Sequence, residues 1–110
     1  MQITVNDKND IKVIAFSGNL ETNTAPDAEK EINALIENGV NKILINFENL
    51  GYISSVGLRV LLRIGKQLKS KEGNLRICSL NVTVNEIFEM SGFSMVFNIF
   101  ETESDAMKSF

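Results

Sequence analysis

The sequence predicts an α/β fold, in which a mixed, mostly parallel β-sheet carries an N-terminal hairpin and about four α-helices packed on it. Two observations predict this class. Apolar and polar residues alternate near the N-terminus, as in half-exposed strands, and helical spacing then alternates with short apolar runs along the rest of the chain. The 110 residues contain no linker and no low-complexity segment, so we expect one domain spanning 1–110.

The predicted strands of the first half differ in their pattern. Ile3 and Val5 alternate with polar neighbours, the polar stretch 6–10 is typical of a turn, and 11–17 is more apolar, which together predict a hairpin. The apolar run at 43–47 shows no alternation. It is therefore predicted to be a strand covered on both faces and central in the sheet.

Capping residues and helical spacing locate the first two helices. The first should begin at Thr24, whose side chain can cap it, and should end at Gly39. The second shows clear helical spacing from Leu58 and should end near Gly73. Each of these helices has one apolar face, which we expect to cover the sheet.

The C-terminal third continues the alternation of strands and helices. A strand at 75–80 precedes a capping-box pattern that begins at Thr83 and opens a short helix, in which Met90 should turn inward. A last strand is predicted at 95–100. Thr102 should cap a short C-terminal helix.

Composition excludes several classes of function. The chain has no histidine, which excludes a Ser-His-Asp hydrolase and removes the commonest ligand of zinc and copper. Gly51 and Gly57 stand apart and lack the lysine of a nucleotide-triphosphate loop. Cys78 lies in an apolar run and is expected to be a core residue. We therefore expect no enzyme activity, no metal and no cofactor.

The charge balance bears on the partners of the chain, and its apolar runs bear on its location in the cell. The 14 acidic and 11 basic residues create no field that would favour nucleic acid or a membrane as a partner. The first residues lack the layout of a signal peptide, and no apolar run approaches membrane-spanning length. A cytoplasmic location is the default expectation.

The segment 49–58, which joins the central strand to the second helix, is the most informative predicted loop. Ser54 and Ser55 precede a helical pattern, where a hydroxyl oxygen can accept a hydrogen bond from an unpaired N–H of the first turn. The positive end of a helix dipole also tolerates a phosphate there. Spacing alone therefore leaves both capping and regulated modification open.

Basic residues follow this junction along one face of the second helix. Arg59 lies four residues after Ser55, and Arg63 and Lys66 extend the same face. Such a stripe is either a solvated surface or a docking surface for acidic groups of a partner.

Three separated segments resemble the anti-sigma-factor antagonists, the stand-alone members of the STAS domain family. The strongest is INFENLGYISSVGLRVLL at 45–62, which is similar to the family's strand, loop and helix around an Asp/Ser-Ser-x-Gly-Leu core; the others are GNLE at 18–21 with TA at 24–25, and IFEMSGF at 87–93. The resemblance covers nearly the whole chain. Ser54 occupies a position that is Asp in many members, and Val56 one that is often Ser or Thr.

The resemblance implies a partner-switching function. Ser55 would be phosphorylated by a serine kinase that is also an anti-sigma factor, and a serine phosphatase would reverse this. The unphosphorylated chain would bind the anti-sigma factor and free a sigma factor. The residues expected to bind the partner are Glu21 and Thr24, which the resemblance implies, the junction residues Ser54, Val56 and Gly57, and Arg59 and Arg63 of the basic face. The chain is expected to be a monomer or a weak dimer.

Two other functions remain open at the level of sequence. The chain could be a non-switching STAS subunit of a scaffold or of a lipid-transport complex, in which the serines only cap the helix. It could also be a STAS module that senses a small ligand, such as a nucleotide. Neighbouring genes would distinguish the first of these functions, and calorimetry with nucleotides would test the second.

Overall fold

The computed structural model describes all 110 residues and contains one five-stranded β-sheet. The strands lie across it in chain order: β1 (Gln2–Lys8), β2 (Ile11–Leu20), β3 (Lys42–Ile53), β4 (Asn74–Cys78) and β5 (Asn98–Phe100). β1 is antiparallel to β2, and the other three pairings are parallel. The predicted mixed, mostly parallel sheet with an N-terminal hairpin is confirmed.

Four α-helices cover the sheet, as predicted. They are α1 (Ala25–Glu37), α2 (Ser55–Ser70), α3 (Val82–Met90) and α4 (Glu103–Lys108). The first three contribute to a cluster of 21 buried residues on one face of the sheet, and α4 contributes to a cluster of five on the other. No helix combines the length and the apolar character that crossing a membrane requires.

β3 is the central strand, because both of its faces are covered. Ile43, Ile45 and Phe47 lie in the larger cluster, whereas Leu44 lies in the smaller one together with Cys78. All five side chains are fully buried. This double burial accounts for the apolar run without alternation.

The hairpin differs from the prediction in the length of its turn. Only Asn9 and Asp10 form the turn, and Asn9 has φ 57°, a left-handed conformation that asparagine tolerates. The polar residues 6–8, expected in the turn, complete β1 instead. β1 is an edge strand with an exposed face, and such a strand accepts polar side chains.

β3 also extends beyond its predicted end. Residues 49–53, expected in a loop, belong to the strand, and Ile53 pairs with Leu20 of β2. The β2–β3 pairing contains two register irregularities in this region. They break the two-residue alternation of burial and so remove the sequence signal of a strand.

The start of α3 and the orientation of its last residue differ from the prediction. Asn81, not Thr83, is the N-cap, and its Oδ1 accepts a hydrogen bond from the N–H of Val84 at 2.8 Å. Met90 is 88% exposed, although it was expected to face inward. It lies two residues, or about 200° of rotation, from the buried Phe88, and therefore on the opposite side of the helix.

The segment after α3 forms a shorter strand than predicted. Residues Phe93–Met95 form a 3-10 turn, Met95 is 89% exposed, and only Asn98–Phe100 pair with β4. The prediction for the last helix is confirmed, because the Thr102 hydroxyl accepts a hydrogen bond from the N–H of Asp105 at 3.1 Å.

Candidate functional site

The junction that contains Ser55 lies where β2 and β3 run past β4. Pairing between β3 and β4 ends at Asn46 and Cys78, whereas β2 and β3 stay paired as far as Leu20 and Ile53. α2 begins two residues after Ile53. The start of α2 therefore lies beyond the carboxyl end of the shared sheet, at the edge where open α/β sheets commonly carry their binding sites.

Ser54 is the residue that caps α2. Its backbone is extended, at φ −91° and ψ 173°, and its Oγ accepts a hydrogen bond from the N–H of Gly57 at 3.3 Å. Its own N–H donates to the carbonyl oxygen of Leu20 at 2.9 Å. Ser54 thus fixes both the first turn of α2 and the end of β2.

Ser55 is the first residue of α2 and is exposed. Because Ser54 already supplies the cap, the hydroxyl of Ser55 is not needed for the helix and forms no hydrogen bond within the chain. The first turn contains no acidic side chain. A phosphate here would meet the positive end of the helix dipole without a carboxylate of the same turn to repel it.

Gly57 is buried because the end of β2 lies against the first turn of α2. A Cβ atom at this position would be 2.7 Å from the carbonyl oxygen of Leu20 and 2.9 Å from Cγ1 of Ile53, closer than real Cβ atoms approach. Val56 is half-buried against the large cluster. Gly57 and Val56, both predicted to bind a partner, therefore lie beneath the surface that carries Ser55 and support it.

Thr24 and Glu21 lie in the loop that follows β2. Thr24 is the N-cap residue of α1, but its side chain makes no cap bond; its Oγ1 donates to the carbonyl oxygen of Asn19 at 2.7 Å and accepts from the N–H of Glu21 at 2.9 Å. The predicted capping role of this side chain is therefore wrong. One reason is that Pro26, at a position where a cap donor is expected, has no N–H.

The hydrogen bond between Leu20 and Ser54 joins the two loops of the site. Glu21 and Ser55 are the next residues along their respective segments. The half-buried carboxylate of Glu21 takes part in none of the four ion pairs of the chain. The structure thus brings Glu21, Thr24, Ser54 and Ser55 to one end of the molecule.

The predicted basic stripe on α2 is divided by an ion pair. Arg63 donates from Nε and Nη2 to the two carboxylate oxygens of Glu29 on α1, at 2.7 and 3.0 Å. The hydrogen bond from Arg63 lowers the pKa of Glu29, and the same bond raises the pKa of Arg63. Arg59, one turn after Ser55, is exposed and has no such partner.

Two residues of this end were not predicted from the sequence. Tyr52, near the end of β3, is 46% exposed, and aromatic side chains of this kind often anchor interfaces. Asn81 donates from Nδ2 to the carbonyl oxygen of Leu50 at 2.8 Å while it caps α3. An Asn just before an apolar helical pattern is a cap signal that the competing Thr83 obscured.

The family model of the STAS domain matches residues 2–106. The chain belongs to the STAS domain family, whose fold combines the mixed sheet with helices at the positions described above. The junction between β3 and α2 is the part of this fold where the resemblance in the sequence is strongest.

Relatives assign the chain to one group within that family. BtrV of Bordetella bronchiseptica, described as a candidate anti-sigma factor antagonist, is 32% identical over 110 residues, which are all of this chain and 95% of BtrV. The anti-sigma F factor antagonist of Paenibacillus polymyxa is 25% identical over 108 residues, covering 97% and 92% of the two chains. The chain therefore belongs with the anti-sigma factor antagonists.

Solved structures share the fold. A candidate anti-sigma factor antagonist of Thermotoga maritima gives a TM-score of 0.93 at 22% identity and covers 97% of this chain and 92% of its own. Unphosphorylated SpoIIAA gives 0.83 at 23% identity, covering 98% and 95%. The Bacillus cell fate determinant SpoIIAA has also been solved in a phosphorylated form, with a TM-score of 0.74 at 22% identity and 98% coverage of both chains.

Proposed function

We propose that this protein is an anti-sigma factor antagonist that works by partner switching. In its unphosphorylated form it binds an anti-sigma factor that is also a serine kinase, and this releases a sigma factor. The kinase phosphorylates Ser55, the complex dissociates, and a serine phosphatase restores the binding form. The chain acts as one cytoplasmic STAS domain, by binding and not by catalysis, and needs no nucleic acid or membrane.

The observation that carries the proposal is that the two adjacent serines have different structural roles. Ser54 supplies the cap of α2, so the exposed hydroxyl of Ser55 is available for modification without loss of a structural hydrogen bond. The relatives named as antagonists and the phosphorylated form of SpoIIAA support the same role. The proposal extends that role to Ser55 of this chain.

Phosphorylation would act on the partner surface and not on the fold. A phosphate at Ser55 adds nearly two negative charges beside the free N–H groups of the first turn, where the helix dipole stabilises them. A partner complementary to the unmodified surface would have to desolvate that dianion or lie against it, which costs binding free energy. Arg59 and the carboxylate of Glu21 flank this position and would form part of the same surface.

The direct test is phosphorylation by candidate anti-sigma kinases from the same genome. The protein is incubated with each kinase and ATP, and the phosphorylated residue is identified by mass spectrometry of its peptides. We expect phosphate on Ser55, an unreactive Ser55→Ala variant and a reactive Ser54→Ala variant. Phosphate on Ser54 or on a distant residue would overturn the site.

A binding measurement tests the switch itself. Ser55→Ala should bind the kinase with the affinity of the wild type, whereas Ser55→Asp should bind at least about tenfold more weakly, because only the second variant adds charge. Ser104→Asp adds the same charge at an exposed position of α4, which covers the other face of the sheet, and serves as a control for the effect of net charge. Equal affinities of Ser55→Asp and Ser55→Ala would reject switching by charge.

A further inference from the structure

A groove of about 430 Å³ lies between the start of β4 and the segment that leads into β5. Residues 73–76 and 96–98 line it together with the second half of α2. Its lining contains no carboxylate and three cations, which are Lys66, Lys69 and Arg76. The two lysines lie 11 and 14 residues after Ser55, or about 16 to 21 Å along α2, so this groove is distinct from the junction that carries Ser55.

The three cations of the groove have no anionic partner within the chain. Lys66 and Lys69 are exposed, Arg76 is half-buried, and none of them takes part in the four ion pairs. The guanidinium of Arg76 donates only to neutral oxygens, the closest being the Oγ of Ser109 at 3.0 Å. Lys69 lies in the last turn of α2, where the helix dipole favours a cation, but Arg76 lies in a strand and gains nothing from a dipole. The fold therefore leaves positive charge at this groove unneutralised.

The groove also contains a backbone N–H that has no acceptor. Successive residues of a strand point their N–H groups to opposite sides, and the N–H of Asn74 donates to the carbonyl oxygen of Asn41, just before β3, at 2.8 Å. The N–H of Leu75 therefore points to the side of β5. Pairing with β5 begins only at Arg76 and Asn98, and the hydrogen bonds of the turns and loops include none from Leu75. Since an unpaired N–H of a buried residue costs free energy, an acceptor that enters the groove would be stabilised here.

Gly65 keeps part of the groove free of side chains. It lies within α2, where glycine is less favourable than alanine. Packing does not require a glycine here, because a Cβ atom would be 3.6 Å from Cδ2 of Leu75 and 3.8 Å from Cε1 of Phe97, which are ordinary contact distances. That Cβ atom would take up space beside two apolar side chains of the groove. The groove is therefore wider than the stability of α2 alone would favour.

We propose that this groove binds an acidic peptide segment of a protein partner, in which carboxylates flank an apolar side chain. The carboxylates pair with the three cations, and the apolar side chain covers Phe97 and Val96, which is 57% exposed. A main-chain carbonyl oxygen of the segment accepts from the N–H of Leu75, as a neighbouring strand would. A phosphate ligand fits less well, because phosphate sites offer several convergent N–H groups and this groove offers one.

Titration of the isotope-labelled full chain with a synthetic peptide, followed by NMR of the backbone amides, tests the groove. With the peptide EEELFEEE, blocked at both ends, the amide signals of Leu75 and Gly65 should shift with a Kd below about 1 mM, and added salt should weaken binding. The uncharged peptide QQQLFQQQ and inorganic phosphate should each bind at least about tenfold more weakly. Phosphate that binds as tightly as EEELFEEE, or peptide-induced shifts confined to the surface around Ser55, would overturn the proposal.

Charge variants show whether the lysines of the groove bind the peptide. Lys66→Gln with Lys69→Gln removes two positive charges and should weaken binding of EEELFEEE at least about fivefold. Lys30→Glu changes the net charge by the same amount at an exposed position of α1 and should leave the affinity within about twofold of the wild type. Equal affinities of these two variants would reject the groove as the binding site.

Two further variants separate this binding from folding and from the proposed function. Gly65→Ala should stabilise α2 and yet weaken peptide binding at least about threefold, because its Cβ atom takes up space in the groove. A loss of binding through unfolding would lower both quantities together. Ser55→Asp should bind the peptide as the wild type does, so that failure of either proposal leaves the other standing. Unchanged binding in Gly65→Ala would contradict the assigned place of the peptide.

Discussion

One face of the sheet is covered by three helices over 21 buried residues, whereas the other is covered by α4 alone over five. The first face includes a run of aromatic contacts in which the ring centroids of Phe47 and Phe16 are 5.6 Å apart and those of Phe47 and Phe88 6.3 Å apart. Most of the apolar burial, and therefore most of the folding free energy, belongs to this face.

The second face depends more on polar contacts. α4 has six residues, too few to be a stable helix alone. The carboxylate of Glu103 accepts a hydrogen bond from Lys8 Nζ at 2.5 Å and one from Asn46 Nδ2 at 3.1 Å, and the guanidinium of Arg76 lies 5.1 Å from the ring centroid of Phe110. We therefore expect α4 to open locally while the face that supports Ser55 stays folded.

The largest expected effect comes from the centre of the first face. Phe47→Ala should lower the free energy of unfolding by about 3–5 kcal/mol, because it leaves a cavity among fully buried side chains. Met107→Ala, at a half-buried position on the second face, should cost only about 1 kcal/mol. Urea denaturation followed by circular dichroism measures both, and equal losses would contradict the comparison.

Substitutions at two glycines of α2 should have the next largest effect on stability. Gly57→Ala should destabilise by about 1–3 kcal/mol, since its Cβ would meet the carbonyl oxygen of Leu20 at 2.7 Å. Gly65→Ala is the matched control: its Cβ would approach nothing closer than 3.6 Å, and alanine favours a helix interior by about 1 kcal/mol. Opposite signs in the same denaturation experiment confirm the close contact between β2 and α2, and equal signs reject it.

A smaller effect should appear at low pH on the second face. The hydrogen bonds from Lys8 and Asn46 lower the pKa of Glu103 from its usual 4.5. A carboxylate with a lowered pKa in the folded state stabilises it above the unfolded-state pKa, and this contribution is lost as the pH falls through the folded-state value. The protection factors of the α4 amides, which correct the exchange rate for the pH dependence of a free amide, should therefore fall on acidification before those of β3, and Glu103→Gln should remove this pH dependence.

The smallest effect is expected at the ion pair between α1 and α2. Glu29→Gln should lower stability only slightly, and less in high salt, because the Arg63 side chain is 57% exposed and solvent screens the pair. A double-mutant cycle with Arg63→Gln measures the coupling. A large coupling that is insensitive to salt would mean that this pair contributes as much to stability as the apolar contacts beneath it.

The sequence predicted the elements whose apolar residues form a regular period or a continuous run. The central strand and the hairpin left clear patterns, and so did the apolar faces of α1 and α2. The end of β3 did not, because two irregularities in its pairing with β2 interrupt the alternation. The orientation of Met90 and the start of the last strand were predicted wrongly, because Met90 and Met95 are apolar yet exposed, and composition alone assigns such residues to the core.

Single residues of the candidate site also show which contacts the sequence does not predict. Two adjacent serines before a helix predict a cap, but only the hydrogen bond from Gly57 to Ser54 identifies which serine forms it. The hydroxyl of Thr24 donates back to Asn19, although it was expected to accept from the first turn of α1. The ion pair of Arg63 with Glu29 joins residues 34 positions apart, and such a long-range contact leaves no local pattern.

The hydrogen bond of Ser54 has a consequence for how long a signal would last. Since Ser54 holds the first turn of α2, a phosphate on Ser55 would neither loosen the helix nor create strain that its loss could relieve. The phosphorylated chain would then be as stable towards unfolding as the unmodified one. Under the proposed function each molecule would keep a chemical record of its last encounter with the kinase, and the lifetime of that record would be set by the phosphatase alone.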